Sequence, residues 1–328
     1  MRQLHILMAL ITLCILVLAN LYIGSVHIPF HEVTDAILGC QDNDTVRFII
    51  VEHRLPQAVT ALLVGASLAA CGLLLQTTFH NPLAGPSVFG ISGGASLGVA
   101  LLLLGGIAGS ANPGDGLVVM GLAAFVGAMS VTALLLFVSS MIKNNVVLLI
   151  VGLLLGYLIS SVITILYVVA DPESLHQYMV WGMGDFSSVS HNQLVPLGVP
   201  TVVFLIVALL LVKPLNAMQM GDNYAQNLGI DIRRVRNLVL LVVGVLTAVS
   251  TTFCGPVAFL GLAVPHITRL IIRTSDYRAL LPATLFMGAF TALVCNLICV
   301  IPSGTLLPLN AVTPLVGIPV IIYVIMKR

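Results

Sequence analysis

Charge is the scarcest property of this sequence. Only 8% of its 328 residues are Asp, Glu, Lys or Arg, against about 25% in an ordinary soluble domain, so the chain cannot cover a water-facing surface. The net charge of +1 and a pI near 7.7 leave no basic footprint for nucleic acid. A content of 59% hydrophobic residues and a mean hydropathy of +1.12 exclude a disordered chain.

Several chemical signatures are also missing. No C-x-x-C joins Cys14, Cys40, Cys71, Cys254, Cys295 and Cys299, which argues against a zinc or redox framework. Cys295 and Cys299 fall one helical turn apart, a spacing unsuited to a disulfide, so they read as small core residues. His27 and His31 straddle Pro29, which spoils a metal-binding helix face. No G-x-x-x-x-G-K-[ST] surrounds any of the three lysines, so uphill transport would need a partner that hydrolyses nucleotide.

What is present is a series of apolar runs. Ten stretches read as crossings, near 4–24, 56–79, 87–109, 117–141, 146–169, 192–212, 237–253, 256–271, 279–301 and 312–326. The seventh and eighth are short, with Gly255-Pro256 breaking between them. The first is too long for a signal-peptide core and no A-x-A site follows it, so it is expected to stay as an anchor. No Asp, Glu, Lys or Arg lies mid-span, which weighs against a proton relay; sodium coupling through hydroxyls and carbonyls needs no charge and stays open.

With the N-terminus inside, 11 of the 13 basic residues collect on one side and only Arg47 and Arg54 on the other. The inner set is Arg2, Lys143, Lys213, Arg233, Arg234, Arg236, Arg269, Arg273, Arg278, Lys327 and Arg328. Nine acids, Asp42, Asp115 and Asp185 among them, fall outside. This positive-inside bias requires an even number of spans and puts both termini in the cytoplasm. Residues 28–38 and 172–181 read as amphipathic helices on the outer face, the second anchored by Trp181. The expectation is an all-α polytopic membrane protein of about ten transmembrane helices, one domain over residues 1–328.

Four stretches could carry function. Gly90-Ile91-Ser92-Gly93-Gly94 has the G-x-S-x-G shape of a nucleophile turn, with His266 as a conceivable base for an intramembrane serine protease. The better reading is packing, because Gly90, Gly94 and Gly98 recur every four residues. Residues 81–86, NPLAGP, cannot stay helical and form either a plain turn or a constriction lining a pathway. The loop 213–236 is the one long cytoplasmic segment of mixed charge; Ala225 and Leu228 form an apolar row that invites a docking partner. Arg47 and Arg54 break the charge rule, paired locally with Asp44 or Glu52 or offered to an acidic partner.

Residues 54–99 (RLPQAVTALLVGASLAACGLLLQTTFHNPLAGPSVFGISGGASLGV), 181–190 (WGMGDFSSVS), 215–236, 255–271 (GPVAFLGLAVPHITRLI) and 312–325 together resemble the permease subunits of ABC importers for iron-siderophores, haem and vitamin B12. The resemblance runs nearly the whole chain in the family's order. It implies a non-catalytic permease in the bacterial cytoplasmic (inner) membrane, working as a homodimer with two cytoplasmic ATPase subunits and a soluble or lipid-anchored solute-binding protein. ATP and Mg would sit on the ATPases and no cofactor on this chain. It further implies a coupling surface at Gly221, Asp222, Ala225, Leu228 and Gly229, a cytoplasmic gate at Asn81, Pro82, Leu83 and Ala84, and binding-protein docking at Arg54 with Arg47. The chain departs from the family at Gln57, often arginine, at Gly85, commonly an acid, and over 285–312, which is neutral here. That implies a docking surface shifted toward Arg47 and Arg54. The rival readings are a sodium-coupled secondary transporter and the protease.

Overall fold

The computed structural model describes residues 2–39, 43–106, 116–142, 144–301 and 307–326. Cys40, Asp42, Asp115, Lys143, Lys327 and Arg328, to which the charge and cysteine readings assign places, lie outside those residues.

Among the described residues every regular element is helical. In chain order they are α1 (Arg2–Tyr22), α2 (Phe30–Leu38), α3 (Asp44–Phe48), a π-helical turn (Ile49–Arg54) and α4 (Leu55–Thr78). There follow α5 (Ile91–Leu103), α6 (Gly116–Met141), α7 (Asn145–Val169) and α8 (Pro172–Gly182). After a 3-10 turn (His191–Gln193) come α9 (Leu194–Leu210), α10 (Val212–Met218), α11 (Asp222–Asn227) and α12 (Ile232–Cys254). The last are α13 (Leu260–Ile272), α14 (Tyr277–Val300) and α15 (Leu309–Met326).

Six helical stretches are long and apolar enough to cross a membrane: Asp44–Thr78, Val118–Met141, Asn145–Val169, His191–Leu210, Ile232–Cys254 and Tyr277–Val300. Shorter apolar helices occupy Leu7–Tyr22, Ile91–Leu103, Leu260–Ile272 and Leu309–Pro319. Each of the ten apolar stretches of the sequence thus holds one helix. The third and eighth are shorter than the hydropathy suggests. At 13 residues each, α5 and α13 span about 20 Å, less than the ~30 Å of a hydrocarbon core. In both cases prolines deny the backbone its N–H donors, so the chain before the helix runs irregularly over residues 79–90 and 255–259. Such backbone is tolerated at depth only when enclosed by protein, and Ala84, Pro86, Phe89 and Gly90 are indeed buried.

The most enclosed helix is α4, packed against α14, α13, α12 and α9. Glycine pairs set these approaches. A methyl group added at Gly72 would collide with the Gly261 carbonyl of α13, and one at Gly65 with the Gly288 carbonyl of α14. Gly94 and Gly98 press on Gly127 and Ala123 of α6, which gives the packing reading of the G-x-S-x-G stretch a contact surface. Gly90 departs from that stripe and takes a left-handed conformation (φ 73°) at the N-cap of α5.

Buried polar groups are cross-braced. Gln57 Nε2 donates to Asn296 Oδ1 (3.0 Å), and Asn296 Nδ2 donates to Asn20 Oδ1 (2.8 Å), linking α4, α14 and α1. At one end of the bundle the Asn310 side chain donates to the carbonyls of Gly182 (2.9 Å) and Pro256 (2.6 Å) and accepts from the Ala258 amide (3.1 Å). That single amide knots three loops. Nearby α8 begins at Asp171, whose carboxylate accepts from the Ser174 amide (2.9 Å), and carries the half-buried Trp181.

Candidate functional site

At the other end of the bundle the chain breaks out of α4 into the turn 79–86. His80 adopts φ 48°, and Asn81 Oδ1 accepts from the Leu83 amide (2.8 Å) while the Ala84 amide donates to the Asn81 carbonyl (3.1 Å). The turn is gripped from two sides. His80 Nε2 meets the Met218 carbonyl of α10 at 3.0 Å, and His266 Nε2 of α13 meets the Pro82 carbonyl at 2.9 Å. Just above, Arg269 donates to Gln76 Oε1 (2.9 Å) and Gln76 Nε2 to the Leu262 carbonyl (3.3 Å), and Tyr277 hydrogen-bonds Thr77. Ala84 is buried, whereas Pro82 and Leu83 are exposed. A cavity of about 20 Å³ lies behind the turn, lined in part by Pro86, Ser87, Ser92, Thr247 and Phe259. It has room for about one water molecule.

Beside the turn stands the loop between α10 and α12. Gly221 (φ 108°) and Gly229 (φ 81°) bracket α11, conformations that L side chains rarely adopt. Ala225 faces inward, fully buried against Ala217, Met218 and Ile232. Leu228 faces outward, so the two do not form one exposed row. The helix ends at Asn227 with Leu228 as its C-cap, so helical spacing does not carry Leu228 onto the face of Ala225. The exposed apolar side chains of this loop are Met220, Tyr224 and Leu228, at 69%, 46% and 59%; Tyr224 lies on α11, Met220 precedes Gly221 and Leu228 caps the helix.

The basic cluster that closes this loop is not a solvated patch throughout. Arg233 and Arg234 are exposed on the first turn of α12, where Arg234 pairs with Asp231 (2.9 Å). Arg236 is 1% exposed. Its guanidinium donates to Ser139 Oγ (3.0 Å), to the carbonyls of Ser139 (2.7 Å) and Ile142 (2.8 Å) and to Asn145 Oδ1 (3.0 Å). In turn Asn145 Nδ2 donates to the Thr78 carbonyl (3.2 Å) and to Asp222 Oδ2 (3.4 Å).

At the far end, Arg54 is 5% exposed. It donates to the carbonyls of Leu21 (2.8 Å) and Tyr22 (3.2 Å), which leave the end of α1 without helical partners, and to that of Val26 in the loop beyond. The π-helical turn widens the backbone here and aims the side chain inward. Neither a local carboxylate pair nor an outward-facing cation describes it. Arg47, one helical stretch earlier, is exposed.

The FecCD transport family matches residues 11–327. The chain belongs to that family. It is 33% identical to the vitamin B12 import system permease protein BtuC of Yersinia pestis, over 87% of this chain and 84% of that protein. To the protein of the same name from Klebsiella pneumoniae it is 35% identical, over 86% and 83%. A solved structure described as an inward-facing conformation of an ABC transporter of metal-chelate type superposes with a TM-score of 0.85 at 27% identity, covering 98% of both chains. The chain is thus a multi-pass membrane permease of the iron-siderophore, haem and vitamin B12 importer family.

In this FecCD permease not all of these residues were legible before the helices were placed. Met220 and Tyr224 were hidden by an otherwise polar loop. Asn145 carried no signal, because an asparagine beside another asparagine at a helix start reads as a cap. Asn144 does fill that role, accepting from the amides of Val146 (2.8 Å) and Val147 (3.4 Å).

Proposed function

We propose that this chain is the membrane-spanning subunit of an ATP-driven importer for a metal chelate or corrinoid, taken from a solute-binding protein and released to the cytoplasm. In this reading the chain crosses ten times with both termini inside, and the turn 79–86 faces the cytoplasm. The observation that carries the reading is the exposure of Met220, Tyr224 and Leu228 on and flanking a short glycine-bracketed helix beside that turn. Apolar side chains in water, framed by arginines, suit a soluble protein partner, and the family's partner there is an ATPase. Gly221 and Gly229 frame this surface, Ala225 anchors it and Asp222 ties it to the bundle. Asn81, Pro82, Leu83 and Ala84 form the inner gate.

The cavity behind the gate is far below the several hundred Å³ a chelate requires. A path between two copies of the chain meets that need, and α15 offers a groove along Asn310, Pro314, Leu315 and Ile318 for it. On the outer face Arg47 presents the positive charge to the binding protein, while Arg54 holds the end of α1 in place. The chain itself performs no bond chemistry; ATP and Mg act on the partner.

The test is reconstitution with the co-purifying ATPase and its binding protein, assaying uptake of radiolabelled cyanocobalamin, ferric siderophore and haemin. ATP-dependent accumulation of one of them is expected. Accumulation without any ATPase, driven by a sodium gradient alone, would overturn the reading. Leu228→Asp is expected to lower ATPase recovery about tenfold, the cost of placing one charge in an apolar contact, while leaving the permease's own melting temperature unchanged.

A further inference from the structure

Asn145 sits where four elements meet. Its amide donates to Asp222 Oδ2 on α11 (3.4 Å) and to the carbonyl of Thr78, the last residue of α4 (3.2 Å). Its oxygen accepts from Arg236 of α12 (3.0 Å). An amide can donate to a carboxylate and a carbonyl through its nitrogen while its oxygen accepts from a guanidinium.

The three contacts differ in firmness. Arg236 is held by Ser139 and Ile142 at 2.7–3.0 Å and is fully enclosed, so that side is fixed. The link to Asp222 is the longest, and the other carboxylate oxygen of Asp222, Oδ1, is buried without a hydrogen-bond partner. A half-satisfied buried carboxylate gains from any rearrangement that completes its bonding. The helix that bears it has six residues, too few to be stable alone, and is bounded by Gly221 and Gly229. It can therefore shift as a unit. The gate turn begins at Phe79, the residue after Thr78.

We propose that Asn145 is a positioning residue that relays displacement of α11 to the gate turn, by trading its bond to Asp222 against its bond to the end of α4. The inference rests on the reading of α11 as the ATPase-docking helix. His80 against Met218 forms a second strut between the same loop and the same turn, but it joins backbone to a ring, with no charged group to exchange.

The experiment uses the permease–ATPase complex in proteoliposomes carrying Leu83→Cys, with a membrane-impermeant maleimide added on the ATPase side. The labelling rate at position 83 is compared with and without ATP plus vanadate. The otherwise unaltered chain should show a change of about threefold or more between the two states. Adding Asn145→Ala should abolish that nucleotide response although the complex is recovered at normal stoichiometry, a readout that a simple brace would not move. Should Asn145→Ala fail to fold, Asp222→Ala and Asp222→Asn serve instead. The alanine is expected to lose the response, and the asparagine, which keeps an acceptor oxygen, to retain it.

An unchanged response in Asn145→Ala, or the same behaviour in both Asp222 variants, would overturn the relay. Absence of any nucleotide response in the otherwise unaltered chain with ATPase bound would instead sink the gate reading on which it rests.

Discussion

Two arginines show how a single residue type takes opposite meanings in one membrane protein. A buried guanidinium is costly unless its donors find acceptors, and both Arg54 and Arg236 find theirs in backbone carbonyls or neutral side chains. Each is an internal staple. Truncating Arg236 would leave the carbonyls of Ser139 and Ile142 enclosed without donors. Arg236→Ala is expected to destabilise the permease by about 3 kcal/mol or more, read as a lower melting temperature in detergent. Arg236→Lys should fail to rescue it, because a single ammonium cannot match the planar fork. The Asn20–Asn296–Gln57 chain works on a smaller scale. Interhelical hydrogen bonds in membranes average about 0.6 kcal/mol, so it fixes the register of three helices more than it stabilises them.

Among the helices, stability turns on how closely backbones approach. Gly72 on α4 and Gly261 on α13 leave no room for a methyl group, whereas at Gly156 on α7 the nearest neighbour to an added Cβ is 4.0 Å away. Gly72→Ala is expected to cost about 1–3 kcal/mol through forced separation of α4 and α13. Gly156→Ala should be neutral or stabilising, up to about 1 kcal/mol from helix propensity. A shared loss would show that the close contact is not the cause, and paired thermal melts decide it.

The short helix α8 offers a pH readout. The Ser174 amide holds the Asp171 carboxyl below its usual range. A depressed folded-state value means that the cap stabilises α8 fully above the unfolded carboxylate pKa and loses that contribution as pH falls through the folded one. Trp181, the single tryptophan of the chain, lies on α8. Its emission should be flat from neutral pH to about 5 and shift below about 4, and Asp171→Asn should flatten the profile.

At the scale of the whole molecule, the two ends differ in kind. One is tied by a knot of loops around Asn310, the other by the braced turn beside α11. If basic loops face inward, Leu228→Cys should react with an impermeant thiol reagent only after lysis of whole cells, and His53→Cys before it. The reverse pattern would invert the topology.

The order of apolar stretches, their number and the basic asymmetry were legible in the sequence, because the bilayer acts on each span nearly independently. The break at Gly255-Pro256, the short helices near 28–38 and 172–181 and the non-helical NPLAGP stretch were legible too, since proline and amphipathic spacing act locally. Tertiary structure alone decided which polar side chains face inward. Arg54, Arg236, Ala225 and Asn145 take their roles from partners 28 to 97 residues away in the case of the arginines, and from packing that brings α7, α11 and α12 together in the others. A hydrogen bond at that distance along the chain has no period for a sequence to display; it exists only once the helices have been set side by side.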